Sequence, residues 1–402
     1  MVETPTAFDF EYVPTEIVYG RGCVAKLGEV LEEIGSERAL VVCGSNVGAN
    51  RDVIDPVTTG IGDRLVGVFD ETTPEKSLET VLDGVDAIHD TDADAVVGLG
   101  GGSSLNVARA MCSIAPLDRP REDVVEEVLE TQTVPSPAAS TEPIPNVAVP
   151  TTMPGADVSA GGSVFVATEA HAPDADRIAA NISDSRLMAD ANVSDPELYA
   201  TTPTDVLASS AMNGFDKGIE TIYSRETTPI ATAHAIEGLR HYRAGLSNLV
   251  DAAVDDPAYD HAVLGTLLVQ YGRKTNIIHT FGNGISGQYD VQQGVVHGIV
   301  APHVLRYVFD NADGSRRRIA DGLEIDTAGK RDDAVADAIV EDVIEIRDAL
   351  GLPTRLRDVE GLTRDHVRDV AEAIHGNYKH ARNPPGVDPT VEEIGSVLQA
   401  AW

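Results

Sequence analysis

The run Val96-Val-Gly-Leu-Gly-Gly-Gly-Ser-Ser-Leu-Asn-Val-Ala-Arg-Ala-Met111 constrains the fold of this chain more than any other segment. Its short apolar start reads as a strand, its glycines as a tight turn, and the apolar spacing that follows as an amphipathic helix opening from Ser103. Gly100, Gly101 and Gly102 let the backbone approach an anion closely. The N–H groups at Ser103 and Ser104 point the same way, with the positive end of the helix dipole behind them. Strand before and helix after predict a pyrophosphate cradle rather than a turn that uses glycine only for its geometry.

The surrounding sequence repeats that rhythm. Ala39–Cys43, Leu65–Phe69, Ala95–Leu99 and Asn146–Val149 are short β-rich apolar runs, and Val24–Ile34 and Leu78–His89 between them have helical spacing. Alternation of this kind predicts a parallel sheet with crossover helices. After Pro203 long stretches of period near 3.6 take over: Val206–Tyr223, Ile230–Val250, Ala262–Ile278, Val335–Leu350 and Thr363–Ile374. The expected organisation is an α/β domain over residues 1–200 and a helical domain over 201–402. Asp195–Pro203, punctuated by proline, reads as the hinge, and Thr131–Pro145 as a surface loop.

Charge narrows the partners. The 402 residues carry 30 basic and 65 acidic side chains, a net charge of −35, spread along the whole length. Nucleic acid and anionic membrane would be repelled, so neither is an expected partner. Six lysines and 4% aromatic residues resemble the composition of salt-accumulating halophiles. Three cysteines, Cys23, Cys43 and Cys112, without CxxC spacing indicate neither a disulfide framework nor a thiolate metal site. With no apolar run of membrane-spanning length and no readable signal segment, a soluble cytoplasmic protein is expected.

Several segments in order along nearly the whole chain give it a family resemblance. Ile17–Gly22, the glycine run, Asp195–Leu198, Pro302–Val304 and Asn383-Pro384 together resemble the iron-containing (group III) alcohol dehydrogenase superfamily. The glycine run looks like that family's GGGSxxDxAK segment, with Asn106 in place of the acid and Arg109 in place of the lysine. Pro150-Thr-Thr-Met-Pro-Gly-Ala-Asp-Val-Ser159 has the spacing of the maleylacetate reductase branch, and Asn213 and His297 fall where that branch has Asn and His. The resemblance implies an α/β dinucleotide-binding domain followed by an all-α catalytic domain, a homodimer of such subunits, and NAD(P)-dependent oxidoreduction. It also implies cofactor contacts from Gly44, Ser45, Asn46, Gly100, Gly101, Gly102, Ser103, Ser104, Asn106, Thr151, Thr152 and Asp157.

Metal-dependent members of that family hold Fe²⁺ or Zn²⁺ with an Asp and a His four apart on one helix and a His on each of two later segments. Here those positions are Asn213, Lys217, His279 and Gln293. Two amides, an ammonium and an imidazole are a poor donor set for a divalent cation, so no catalytic metal is expected. Another register groups Asp216 and Glu220 with His279 and His297, against the ordinary reading of such an acidic pair as a solvated or ion-paired helix face. Lys217, aided by His279, is the candidate electrophile and acid, with Asn213 and His297 beside them.

NAD-specific relatives often end the first strand in an acid that binds the ribose 2′-OH. Gly44, Ser45 and Asn46 stand there instead, so NADP(H) is slightly favoured over NAD(H), with Arg51 as a candidate phosphate partner. The expected substrate is a small carbonyl or enoyl-carboxylate compound, with Arg273, Lys274 and His297 as candidate carboxylate partners. Competing readings are a dehydroquinate synthase-type lyase and a nucleotide-binding protein with altered catalysis. The lyase needs zinc ligands and several lysines that this chain lacks.

Overall fold

The computed structural model describes residues 7–10, 15–167 and 177–402, and the chain divides into two compact units. Within Val13–Thr202, the strands are β1 (Glu16–Tyr19), β2 (Ala39–Gly44), β3 (Leu65–Thr72), β4 (Ala95–Gly100), β5 (Asn146–Pro150), β6 (Gly162–Ala167), β7 (Arg177–Ile182) and β8 (Ala191–Ser194). The helices are α1 (Leu27–Glu33), α2 (Ser45–Ala49), α3 (Arg51–Ile61), α4 (Leu78–Asp90), α5 (Gly102–Ile114), α6 (Arg121–Thr131) and α7 (Pro196–Tyr199). Six strands form one parallel sheet in the order β1-β8-β5-β4-β2-β3.

Both faces of that sheet are covered, which explains why its strands read as unbroken apolar runs. Leu40 and Val42 join Val81, Val85, Val107 and Met111 in one core. Val41 and Cys43, pointing the other way, join Leu27, Val30, Val57 and Val97 in a second. The three cysteines are buried and unpaired. The chain leaves β2 toward β3 on one side and leaves β4 toward β5 on the other. The switch point therefore lies between the carboxyl ends of β2 and β4, the place where open α/β sheets bind ligands. The parallel reading omitted one feature: β6 and β7 form a separate antiparallel ribbon.

The second unit joins residues 7–10 to Pro203–Trp402, among the described residues, and is entirely helical. It contains α8 (Thr204–Tyr223), α9 (Pro229–Leu246), α10 (Pro257–Gln270), α11 (Ile277–Ser286), α12 (Gln293–Asn311), α13 (Arg316–Gly322), α14 (Asp332–Ala349), α15 (Val367–His375) and α16 (Val391–Ala400). One expectation is corrected here. Ala262–Ile278 is not one helical stretch, because the chain breaks after Gln270 and restarts at Ile277. Gly272 has φ +69°, and Asn276 caps the new helix by accepting from the Ile277 N–H at 2.7 Å. No described helix is long and apolar enough to cross a membrane.

Candidate functional site

The glycine turn sits at the end of β4. Gly100 has φ +125°, a conformation that glycine adopts without strain, and the helix begins at Gly102, one residue earlier than the sequence suggested. Gly101, the N-cap, has no side-chain cap, so the first N–H groups of α5 find no partner from it. A Cβ on Gly102 would lie 3.3 Å from the Ala156 Cβ, and one on Gly101 would lie 3.5 Å from the Thr152 side chain. Side chains at these glycines would fill the cradle in front of the helix. These observations fit a bound pyrophosphate.

Neighbouring groups hold this turn in shape. Ser104 Oγ lies 2.6 Å from Thr72 Oγ1, and the Thr151 N–H donates to Gly100 O at 3.0 Å. Gly44 ends β2, and Ser45 and Asn46 open α2 beside it. Asn106 faces Arg109, whose Nη1 donates to Asn106 Oδ1 at 3.0 Å while Nη2 donates to Ala156 O at 2.6 Å and Nε to Leu187 O at 3.1 Å. The Asn/Arg exchange relative to the family's Asp/Lys thus forms a hydrogen-bonded pair. Asp157 is buried and accepts from Asn192, which Ser194 fixes in turn. Arg51 lies on the surface and pairs with Asp55 at 3.1 Å.

In the helical unit the side chains converge on α8. Every residue from Leu207 to Tyr223 is buried, including Asp216 and Glu220 at 0% exposure, Asn213 at 6% and Lys217 at 7%. The expectation of a solvated or ion-paired Asp216/Glu220 face is corrected in its solvated part. Neither carboxyl meets water. Asp216 Oδ2 faces His297 Nδ1 at 3.3 Å, and Glu220 Oε2 faces His279 Nδ1 at 2.5 Å. The two imidazoles meet edge to face, with ring centroids 4.4 Å apart. The break before α11 makes this arrangement possible: Glu220 Oε1 accepts from the Ile278 and His279 N–H groups at 2.6 and 3.1 Å, and the Glu220 carbonyl accepts from Asn276 Nδ2 at 3.0 Å.

Burial decides the protonation of this group, because ions are costly away from water. It raises Asp216 well above the usual carboxylate range. It pushes Glu220 up to about 8 against the lowering effect of the His279 and Asn276 hydrogen bonds. It drives His279 well down, with His297 and Lys217 adding to the effect, and His297 down to about 3, with Lys379 and Lys217 adding. Glu220 and His279 form a neutral pair sharing one proton. With that proton on Glu220 Oε2, Nδ1 accepts, and Nε2–H is the imidazole's remaining donor. His279 Nε2 has no hydrogen-bond partner among the described residues.

Close helix packing aligns the remaining groups. A Cβ on Gly282 would lie 2.2 Å from His297 Nε2 and 2.8 Å from Gln293 Cγ, and one on Gly294 would lie 1.8 Å from Ser209 O. At that approach Asn213 Nδ2 donates to Gln293 Oε1 at 2.8 Å, and Gln293 Nε2 donates to Asn283 Oδ1. Three amides from α8, α12 and α11 therefore form a continuous chain. The positions that the family resemblance assigns to metal ligands carry two of these amides, Lys217 and His279, a set whose chemistry does not fit a divalent cation. The alternative register does not supply one either: no group of three or more His, Cys, Asp or Glu among the described residues is arranged to hold a metal ion.

Other candidates lie elsewhere. Lys274 Nζ is 4.0 Å from Glu226, and His375 and His380 contact the backbone oxygens of Pro389 and Ile374. Two roles were missed in the sequence. Glu220 orients His279, and a signal existed, since Asn213, Asp216, Lys217 and Glu220 recur at helical spacing and line one side of α8. Lys379, near enough to lower both imidazoles and itself lowered by burial, sits in a short turn over Tyr378–Arg382 and had no such signal.

Comparison with known proteins gives a consistent family assignment. A family model described as iron-containing alcohol dehydrogenase matches residues 14–196, and one for the C-terminal part of the Fe-containing alcohol dehydrogenase family matches 207–402. An NAD-dependent methanol dehydrogenase of Bacillus methanolicus is 22% identical over 97% of this chain and 99% of its own. A maleylacetate reductase of Burkholderia cepacia is 24% identical over 94% of each chain. The crystal structure of a sulfoacetaldehyde reductase from Bifidobacterium kashiwanohense in complex with NAD⁺ matches with TM-score 0.82 and 18% identity over 99% of each chain.

Proposed function

Because the chain belongs to the iron-containing alcohol dehydrogenase family, we propose that it is an NAD(P)H-dependent oxidoreductase that reduces a small carbonyl or enoyl-carboxylate compound without a catalytic metal. The glycine turn from Gly100 to Ser104 holds the pyrophosphate, flanked by Gly44, Ser45, Asn46, Thr151 and Thr152. When bound, the reduced nicotinamide supplies the hydride that the carbonyl carbon accepts.

The protein's own task is to manage charge on the substrate oxygen. As the carbon gains a hydrogen, the C=O electron pair moves to oxygen, and a positive or acidic group must meet it. Lys217 is that group: an enclosed ammonium on α8 that acts electrostatically on both His279 and His297. It stabilises the oxyanion and donates the proton that completes the alcohol. His279, oriented by Glu220, adds the Nε2–H donor. The single observation carrying this reading is the buried lysine where metal-dependent relatives place a histidine ligand.

The test has two parts. Fluorescence titration of the protein with NADH and NADPH should give saturable binding of at least one, with tighter NADPH binding expected from the missing acid at Gly44. Lys217→Ala should then leave that binding in place and lower kcat for carbonyl reduction by roughly 10²–10³-fold, the cost of losing one oxyanion donor. Absence of binding to either nucleotide overturns the oxidoreductase reading. Full activity in Lys217→Ala overturns the role of the lysine.

A further inference from the structure

Arg109 lies midway along α5, is 1% exposed, and divides its guanidinium among three segments of the chain. Nε donates to Leu187 O at 3.1 Å, and Nη1 donates to Asn106 Oδ1 at 3.0 Å and to Gly161 O at 3.3 Å. Nη2 donates to Ala156 O at 2.6 Å, the shortest of the four. Ala156 and Gly161 belong to the loop that runs from β5 to β6. A buried guanidinium is tolerated only with its N–H groups hydrogen-bonded, so the buried charge and the conformation of this loop depend on each other.

Ala156 is also a wall of the pyrophosphate cradle. A Cβ on Gly102 would lie 3.3 Å from its Cβ, and one on Gly101 would lie 3.5 Å from the side chain of Thr152, on the same loop. The first N–H groups of α5 form the opposite wall. Ala156 packs against Leu105, Ala148 and Ala189, which fixes its side chain while Arg109 fixes its carbonyl. One helix thus carries the anion-binding N–H groups at its start and, two turns on, the side chain that holds the facing wall.

We propose that Arg109 is a positioning residue of the cofactor site: by holding Ala156 and Gly161 against α5 it sets the width of the cradle, and with it nucleotide affinity, without touching the nucleotide. The proposal rests on the oxidoreductase reading and names the residue that shapes its cofactor site. The guanidinium suits this role because its donors are fixed in a planar fork that reaches several carbonyls at once. A lysine ammonium carries its three donors at one point and cannot satisfy acceptors in three segments. Arg109→Lys keeps the charge and removes the brace, so the loop relaxes and the phosphate oxygens lose their fitted distance to the N–H groups.

The experiment measures dissociation constants of NADH, NADPH and ADP, by fluorescence titration and calorimetry, for wild type and Arg109→Lys. ADP carries the pyrophosphate without the nicotinamide. Arg109→Lys should weaken all three by a similar factor, roughly tenfold or more, and leave kcat at saturating nucleotide within about twofold. A brace that served folding alone would lower the unfolding midpoint and leave these constants unchanged. Ala156→Val, which crowds Gly102 from the loop side, should weaken the same three ligands, and it decides the matter if Arg109→Lys does not fold. Unchanged affinity in folded Arg109→Lys, or in Ala156→Val, overturns the assignment. So does a loss confined to NADPH, which would mark a contact with the 2′-phosphate. Failure of the wild type to bind any of the three overturns the oxidoreductase reading and this assignment with it.

Discussion

At the scale of single residues, Glu220 shows how burial converts a common side chain into a setting device. Its folded pKa of about 8 lies above the ordinary 4.5, so the protonated form is the one that folding favours. That contribution to stability is complete below about 4.5 and is lost as pH rises through about 8. The same titration changes His279, because an ionised Glu220 takes the proton's place as acceptor from Nδ1 and removes the Nε2–H donor. Activity should therefore fall on an alkaline limb near pH 8, and Glu220→Gln, which keeps a permanent donor toward Nδ1, should retain activity and move that limb upward. A limb unchanged in Glu220→Gln, read from kcat against pH, contradicts the assignment. The sequence made Lys217 and His279 visible as candidates through family spacing. It did not reveal the orienting role of Glu220, because the contact joins residues 59 positions apart across a helix break.

At the scale of elements, the glycine turn was legible because its cause is local: three glycines, a strand before and a helix after. The amide chain was not, since its three members come from α8, α11 and α12 and meet only through close helix packing. The break between α10 and α11 was missed for a similar reason, apolar spacing continuing across Gly272 while the backbone turned there. Packing at Gly282 provides the test at this scale. Gly282→Ala places a methyl against His297 and Gln293 and should cost about 1–3 kcal/mol, typical of overpacking, in denaturant unfolding. Gly395→Ala, on α16 with no heavy atom within 4 Å, should instead gain up to about 1 kcal/mol from helix propensity. Equal effects of the two substitutions contradict the close α11–α12 approach.

At the scale of the whole molecule, sequence texture gave the order of an α/β unit and a helical unit, and the parallel sheet followed from apolar runs that are buried on both faces. The antiparallel β6–β7 ribbon escaped that texture. A net charge of −35 acts on the folded chain as a whole. Repulsion of this kind is screened over about 3 Å at 1 M salt against about 10 Å at 0.1 M. The thermal midpoint should accordingly rise by roughly 5 °C or more between 0.1 and 3 M KCl, on the order of 4 kcal/mol for a chain of this length, and a flat response contradicts the halophilic reading. The central claim concerns the chemistry carried by this frame, carbonyl reduction with Lys217 where relatives hold a metal. It is tested most directly by measuring NAD(P)H oxidation with a carbonyl substrate before and after exhaustive EDTA treatment, with metal content determined on the same samples. The account predicts an unchanged rate in metal-free protein; a rate that collapses on metal removal and returns with Fe²⁺ or Zn²⁺ contradicts it.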